Sequence, residues 1–221
     1  MRFETIYEDV SVLRPEDYLA LERAIRTADA ADRGEIAALL AGFVQPRSKA
    51  LLLALGRDRD PVVRAEAYDS LAAFPFPDAE AFLLQAAATE RDALARAYAI
   101  LSLADIVLSR KPDLPACRDV FRKLLASETD AQCRLSLRRA LCLFGAEDSL
   151  PPLLAFLNEE NYQLRCAAVT AARDVLTVEN RETITRAIRT LQRSETTRAV
   201  RSRIEVIWGD LTEDGENPCG N

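Results

Sequence analysis

The sequence predicts an all-α fold, a right-handed α-solenoid of about six antiparallel helical hairpins. Three observations carry that prediction. One arginine-centred pattern recurs in register along the chain, each copy opens with a helix-starting residue, and the composition suits closely packed helices. Of 221 residues, 49% are apolar but only 6% aromatic, with Ala and Leu dominant and just 7 Gly. Small and unbranched residues favour helix and let helix axes approach closely.

The pattern begins at Asp60-Pro61-Val62-Val63-Arg64 and Asp92-Ala93-Leu94-Ala95-Arg96. It returns at Asp130-Ala131-Gln132-Cys133-Arg134, Asn161-Tyr162-Gln163-Leu164-Arg165 and Thr197-Arg198-Ala199-Val200-Arg201, the arginines lying 32, 38, 31 and 36 residues apart. The residue before each Arg, and those three, seven and ten after it, are apolar in every copy; Val63, Ala67, Leu71 and Phe74 are the first set. Steps of four, four and three return to one side of a helix, so each copy presents a continuous apolar stripe. Asp, Asn and Thr at the opening position are favoured N-caps, and Pro61 fits the first helical turn, where its missing N–H costs nothing.

Read in order, residues 1–14 form an N-terminal arm in which Phe3, Ile6, Tyr7, Val10 and Val12 can cover the first hairpin. That hairpin pairs Pro15 to Thr27 with Asp32 to Phe43 and shows no Arg at the matching place. Each later pattern helix is preceded by a second apolar helix: Pro46 to Gly56, Pro77 to Ala88, Leu114 to Ser127, Pro151 to Asn158 and Asn180 to Arg193. Loops of a few residues fold each pair into a hairpin, and one hairpin buries its stripes only by stacking on the next. The solenoid is expected over residues 15–211, with a disordered acidic and polar tail at 212–221.

Composition narrows the function. There is no histidine, which removes His-based acid–base catalysis, Ser-His and Cys-His nucleophiles and His-containing metal sites. No Gly-rich phosphate loop or metal-ligand spacing appears, so no cofactor or metal is called for. Five cysteines, none in a CxxC pair, read as reduced structural thiols, with Cys219 in the tail. A net charge of −6 argues against nucleic acid as the general partner. The apolar run Ala50 to Leu55 is too short to span a bilayer, and the N-terminus lacks signal-peptide character. A cytoplasmic location with no membrane association is the expectation.

The run Asp60-Pro61-Val62-Val63-Arg64-Ala65-Glu66-Ala67, echoed at Asp92 to Arg96 and Asp130 to Arg134, resembles the second helix of HEAT repeats. The resemblance spans about residues 15–210. It implies a ladder of polar contacts between adjacent repeats, to which Asp60, Arg64, Asp92, Arg96, Asp130, Arg134 and Arg165 would contribute. Asn161 and Thr197 replace the Asp, implying a ladder that weakens towards the C-terminus. The period is shorter than the ~40–47 residues of large HEAT proteins. It is more similar to the compact repeats of small bacterial proteins, phycobilin lyase subunits among them.

In such solenoids the second helices line the concave face, where partners bind. Offsets outside the apolar stripe place Glu66, Asp69, Tyr98, Ser102, Asp105, Arg139, Thr170, Arg173 and Asp174 there, with Ser70 and Ser136 also at these offsets. Tyr98 is the best single anchor, since an exposed Tyr offers apolar area and a hydrogen bond together. A second surface is basic: between Asn180 and Arg203 stand seven arginines against two glutamates, and Arg186, Arg189 and Arg193 share one helical face. The leading expectation is a non-catalytic protein-binding module (scaffold, immunity or inhibitor protein, or assembly factor) acting on another protein. The alternatives are a phycobilin-lyase-like enzyme subunit and Arg-mediated nucleic-acid binding through the C-terminal hairpin. A base-excising glycosylase, which some HEAT-like folds host, would need an aromatic-lined cleft that a chain with one Trp does not supply.

Overall fold

A computed structural model describes residues 12–110 and 113–212. Its described residues form twelve α-helices and no strand. They fall into two compact units, residues 1–113 and 114–221. The first holds α1 (Pro15–Thr27), α2 (Ala30–Ala41), α3 (Pro46–Leu55), α4 (Pro61–Leu71), α5 (Pro77–Thr89) and α6 (Ala93–Ser109). The second holds α7 (Leu114–Ser127), α8 (Ala131–Leu143), α9 (Leu150–Ala155), α10 (Tyr162–Asp174), α11 (Arg181–Ser194) and α12 (Arg198–Thr212).

In the first unit the inner helices α2, α4 and α6 pack closely on one another, while the outer helices barely meet. The apolar stripe explains this. Val63, Ala67 and Leu71 of α4, Phe74 just beyond its end, and Ala95, Ala99, Leu103 and Ile106 of α6 are all buried. Alanines at the crossing let the axes close, and the large side chains fill the ends; burying each Leu or Phe contributes about 1.5–3 kcal/mol before entropy is counted. Gly56, at the end of α3, is required by the same closeness. A Cβ there would lie 2.6 Å from the Phe82 ring and 3.2 Å from Tyr68. The Tyr18 hydroxyl meets Ser48 Oγ at 2.6 Å, satisfying two buried polar groups together.

The second unit repeats the plan. Its core joins Leu153, Leu157, Ala168, Ala172, Ile184, Ile188, Val200 and Ile204. Phe144 and Phe121, both fully buried, stack with centroids 5.0 Å apart. Of the stripe positions, only Leu164, Trp208 and Leu211 keep partial exposure. The expected outer helix over 151–158 is reduced to α9, six residues flanked by 3-10 turns at Glu147–Ser149 and Phe156–Asn158. The prolines Pro151 and Pro152 lie in its first turn, where missing N–H groups cost nothing, and the shortening falls at the other end, where Phe156–Asn158 tightens into the 3-10 turn. The last inner helix carries Ser202 and Glu205 where α4 buries Ala65 and Tyr68 and α6 buries Ala97 and Ile100. Both residues are exposed on that side.

The interlayer ladder exists, but with different partners from those expected. Asp60, Asp92 and Asp130 are N-caps, their carboxylates accepting from Val62 N, Ala95 N and Cys133 N at 2.9–3.0 Å. The arginines reach instead the carboxylate two residues ahead of the next cap. Arg64 donates Nε and Nη2 to Glu90 at 2.7 and 2.8 Å, and Arg165 donates to Glu195 at 2.7 and 3.1 Å. These carboxylates also accept the backbone N–H of the following cap residue, Asp92 and Thr197 respectively. The Nη1 groups of Arg64, Arg96, Arg134 and Arg165 meanwhile bond the carbonyl six residues earlier. One guanidinium thus ties its own loop and the next layer together.

Two expectations are corrected by this geometry. The first inner helix starts at its N-cap Asp29, and Arg33, four residues on, forms the missing first rung with Asp58 at 2.7 and 2.9 Å. Nor does the ladder fade at Thr197, because the acceptor is Glu195, whose side chain is only 3% exposed. It thins at Arg134, on which no carboxylate closes among the described residues.

Of the N-terminal arm, Phe3, Ile6, Tyr7 and Val10 lie outside the described residues, as does the tail beyond residue 212. Val12 is exposed; the next residue, Leu13, turns inward and exchanges two hydrogen bonds with the Gln45 side chain.

The ladder has a pH signature. Burial alone would raise the Glu90 carboxyl, but Arg64 and the Asp92 N–H outweigh it and hold it at about 2. Arg165 first, with the Thr197 backbone, holds Glu195 at about 2 against its own burial. Both values lie below the ordinary 4.5, so the stability they contribute is complete above that pH and is lost as pH falls towards 2. Urea unfolding midpoints should therefore drop across that interval, and Glu90→Gln should drop less steeply than the parent chain.

Candidate functional site

The inner-helix face of the first unit gathers four of the residues foreseen from the sequence. A residue two or five places after the ladder arginine points away from the apolar stripe, which is how α4 presents Glu66 and Asp69. From α6 come Tyr98 and, at the ninth place, Asp105, both half-buried. Burial first, then Asp69, raises the Glu66 carboxyl above its usual value. Burial and then Asp105 do the same to Asp69. The Tyr98 phenol is pushed up by burial, Asp69 and Glu66. Glu66 and Asp69 remain solvent-accessible, so their desolvation is partial; their mutual influence nevertheless places all four groups on one patch. Glu35 of α2, at the same offset from Arg33 as Glu66 from Arg64, is exposed on the same row. It was not foreseen because Arg33 was not recognised as a rung; the Asp29-to-Arg33 spacing was the signal.

Ser102 does not belong to this surface. It is only 1% exposed, and Ser70 and Ser136 are buried with it. Ser70 and Ser102 stand six places after their arginines, which at 100° per residue is only about 20° from the stripe edge, so neighbouring helices cover them.

In the second unit the foreseen residues mostly engage one another. Arg139 of α8 meets Asp174 of α10 at 2.6 Å, so these two neutralise each other between layers. Thr170 returns its hydroxyl to the Cys166 carbonyl, while Arg173 is exposed. Cys117, Cys133, Cys142 and Cys166 are free thiols, and burial pushes Cys142 up to about 11, which makes it a poor nucleophile. Cys219 lies outside the described residues.

The basic face is present on α11, where Arg186, Arg189 and Arg193 are all exposed. They line, with Glu182, Thr185 and Thr190, a cleft of about 240 Å³. Among the described residues no group of His, Cys, Asp and Glu is arranged to hold a metal ion. No helix there is long and apolar enough to cross a membrane.

Residues 19–104, which include four inner and outer helices complete with two ladder rungs, match the model of the HEAT-repeat family. That segment carries HEAT repeats. Among solved structures it is similar to a chain of the complex of CpcE and CpcF of phycocyanin lyase from Nostoc sp. PCC7120. That match has 21% identity and a TM-score of 0.51, and covers 74% of this chain and 99% of that one. Human deoxyhypusine hydroxylase also matches, at 17% identity and a TM-score of 0.41, over 90% of this chain and 85% of that one. No curated protein matches the sequence. At 21% identity the likeness to the lyase chain concerns the fold alone.

Proposed function

We propose that this HEAT-repeat chain is a non-catalytic interaction module that holds a protein partner on the inner-helix face of its first unit. The observation that carries the reading is the coupled patch of Glu66, Asp69, Asp105 and Tyr98. Two of its carboxylates are raised by burial and by their acidic neighbours. Like charges gathered this way cost free energy at neutral pH, and a Lys or Arg from a partner would relieve that cost. Tyr98 adds an aromatic anchor beside the charges. A cationic segment of another protein fits this chemistry, and the absence of histidine from the sequence removes His-based acid–base catalysis.

Site-specific photo-crosslinking in the source cell tests it. A benzoylphenylalanine at position 98 should capture a discrete partner, whereas one at exposed Leu84, on the outer helix α5, should not. Asp69→Arg should abolish the capture, and lowering the pH towards the raised carboxyl values should weaken it. Equal capture from positions 98 and 84, or capture indifferent to Asp69→Arg, would refute the assignment.

A further inference from the structure

The arginines held between layers differ from those of α11. Arg33, Arg64, Arg139 and Arg165 each close on a carboxylate at 2.6–2.7 Å. Those on the solvent face of α11 do not. Arg186 meets only Glu182, at 2.8 Å, with both side chains almost fully exposed, and such a pair contributes little. Arg189 lies over the Trp208 ring, 5.6 Å from its centroid, and Arg193 has no carboxylate partner among the described residues. The ring that holds Arg189 is itself tied, its indole N–H donating to Gln192 Oε1 at 3.1 Å. A guanidinium resting on an aromatic face keeps its charge and its N–H donors while losing part of its freedom.

We propose that this cleft binds a small phosphorylated ligand with adjacent phosphoryl groups, of the pyrophosphate type. Arg186, Arg189 and Arg193 rise over about 10 Å of helix. That is too long a span for a single phosphate and short enough for long side chains to converge on two. The guanidinium fork matches phosphate oxygens in pairs, each such bond charge-assisted. Thr185 adds a hydroxyl at the rim; Thr190 spends its proton on the Arg186 carbonyl at 3.0 Å and serves as wall. The cleft of about 240 Å³ accommodates a diphosphate. Only Glu182 opposes an anion there, and Arg186 already engages it.

Trp208 is the only tryptophan in the sequence, so the site carries its own reporter. Sodium pyrophosphate titrated at constant ionic strength should give a saturable change in Trp208 fluorescence as Arg189 is drawn from the ring. Arg193→Gln, at an exposed position, should weaken the apparent affinity about tenfold, while Arg110→Gln in the first unit should leave it unchanged. Broadening of the pyrophosphate phosphorus resonance, lost in Arg193→Gln, provides a readout independent of the ring. Three results would overturn the proposal: a response that sodium sulfate or chloride reproduces at equal ionic strength, an affinity indifferent to Arg193→Gln, or binding of a single-stranded oligonucleotide with no response to pyrophosphate.

Discussion

Replacing Glu195 by alanine should destabilise the second unit by about 3–5 kcal/mol, the usual cost of breaking one side of a buried ion pair. Glu195 accepts three strong hydrogen bonds, two from Arg165 and one from the Thr197 N–H, and its side chain is 3% exposed. Its removal leaves the Arg165 guanidinium, only 15% exposed, facing a hole where its counter-charge stood. The loss is a large share of the ~5–15 kcal/mol by which domains are stable, and melting should fall on the order of 10 °C. Trp208 fluorescence reports on this unit directly. Glu182→Ala, which removes a carboxylate from an exposed pair, should leave the melt where it was.

Phe144→Ala should be comparably severe for a different reason. Phe144 ends the α8 stripe, is fully buried, and packs against Phe121 at a 51° ring tilt. Truncation gives up the transfer free energy of the ring and leaves a cavity that the surrounding helices only partly close, about 3–5 kcal/mol together. Phe76→Ala, at an exposed ring, removes similar atoms without a cavity and should cost far less. Urea unfolding of both variants, followed beside the parent chain, distinguishes burial from side-chain size.

Much of the fold was legible in the sequence because its cause is periodic. Stripe residues such as Val63, Ala99 and Leu137 are buried because each faces the same kind of neighbour. The N-caps were legible too, because capping is local chemistry within four residues. The ladder partners were not. Glu90 and Glu195 sit two residues ahead of the cap, where an exposed loop carboxylate and a buried acceptor read alike in sequence; only stacking decides which arginine reaches them. The Asp29-to-Arg33 rung was missed because Asp32 offered a second capping residue three places later. At the candidate site, Glu66, Asp69, Tyr98 and Asp105 were named from their offsets, but their coupling across α4 and α6 depends on how closely those helices approach. Ser102 shows the limit of offset arguments near a stripe edge, where a small rotation decides between solvent and core.

A double-mutant cycle in the first unit tests the central structural claim most directly. Arg64→Ala is paired once with Glu90→Ala and once with Asp92→Ala, and unfolding free energies are measured for each corner. The geometry predicts a coupling of about 1.5–3 kcal/mol between Arg64 and Glu90, and additive effects for Arg64 with Asp92. Strong coupling to Asp92 with none to Glu90 would contradict the assignment of the rungs and the stacking built on them.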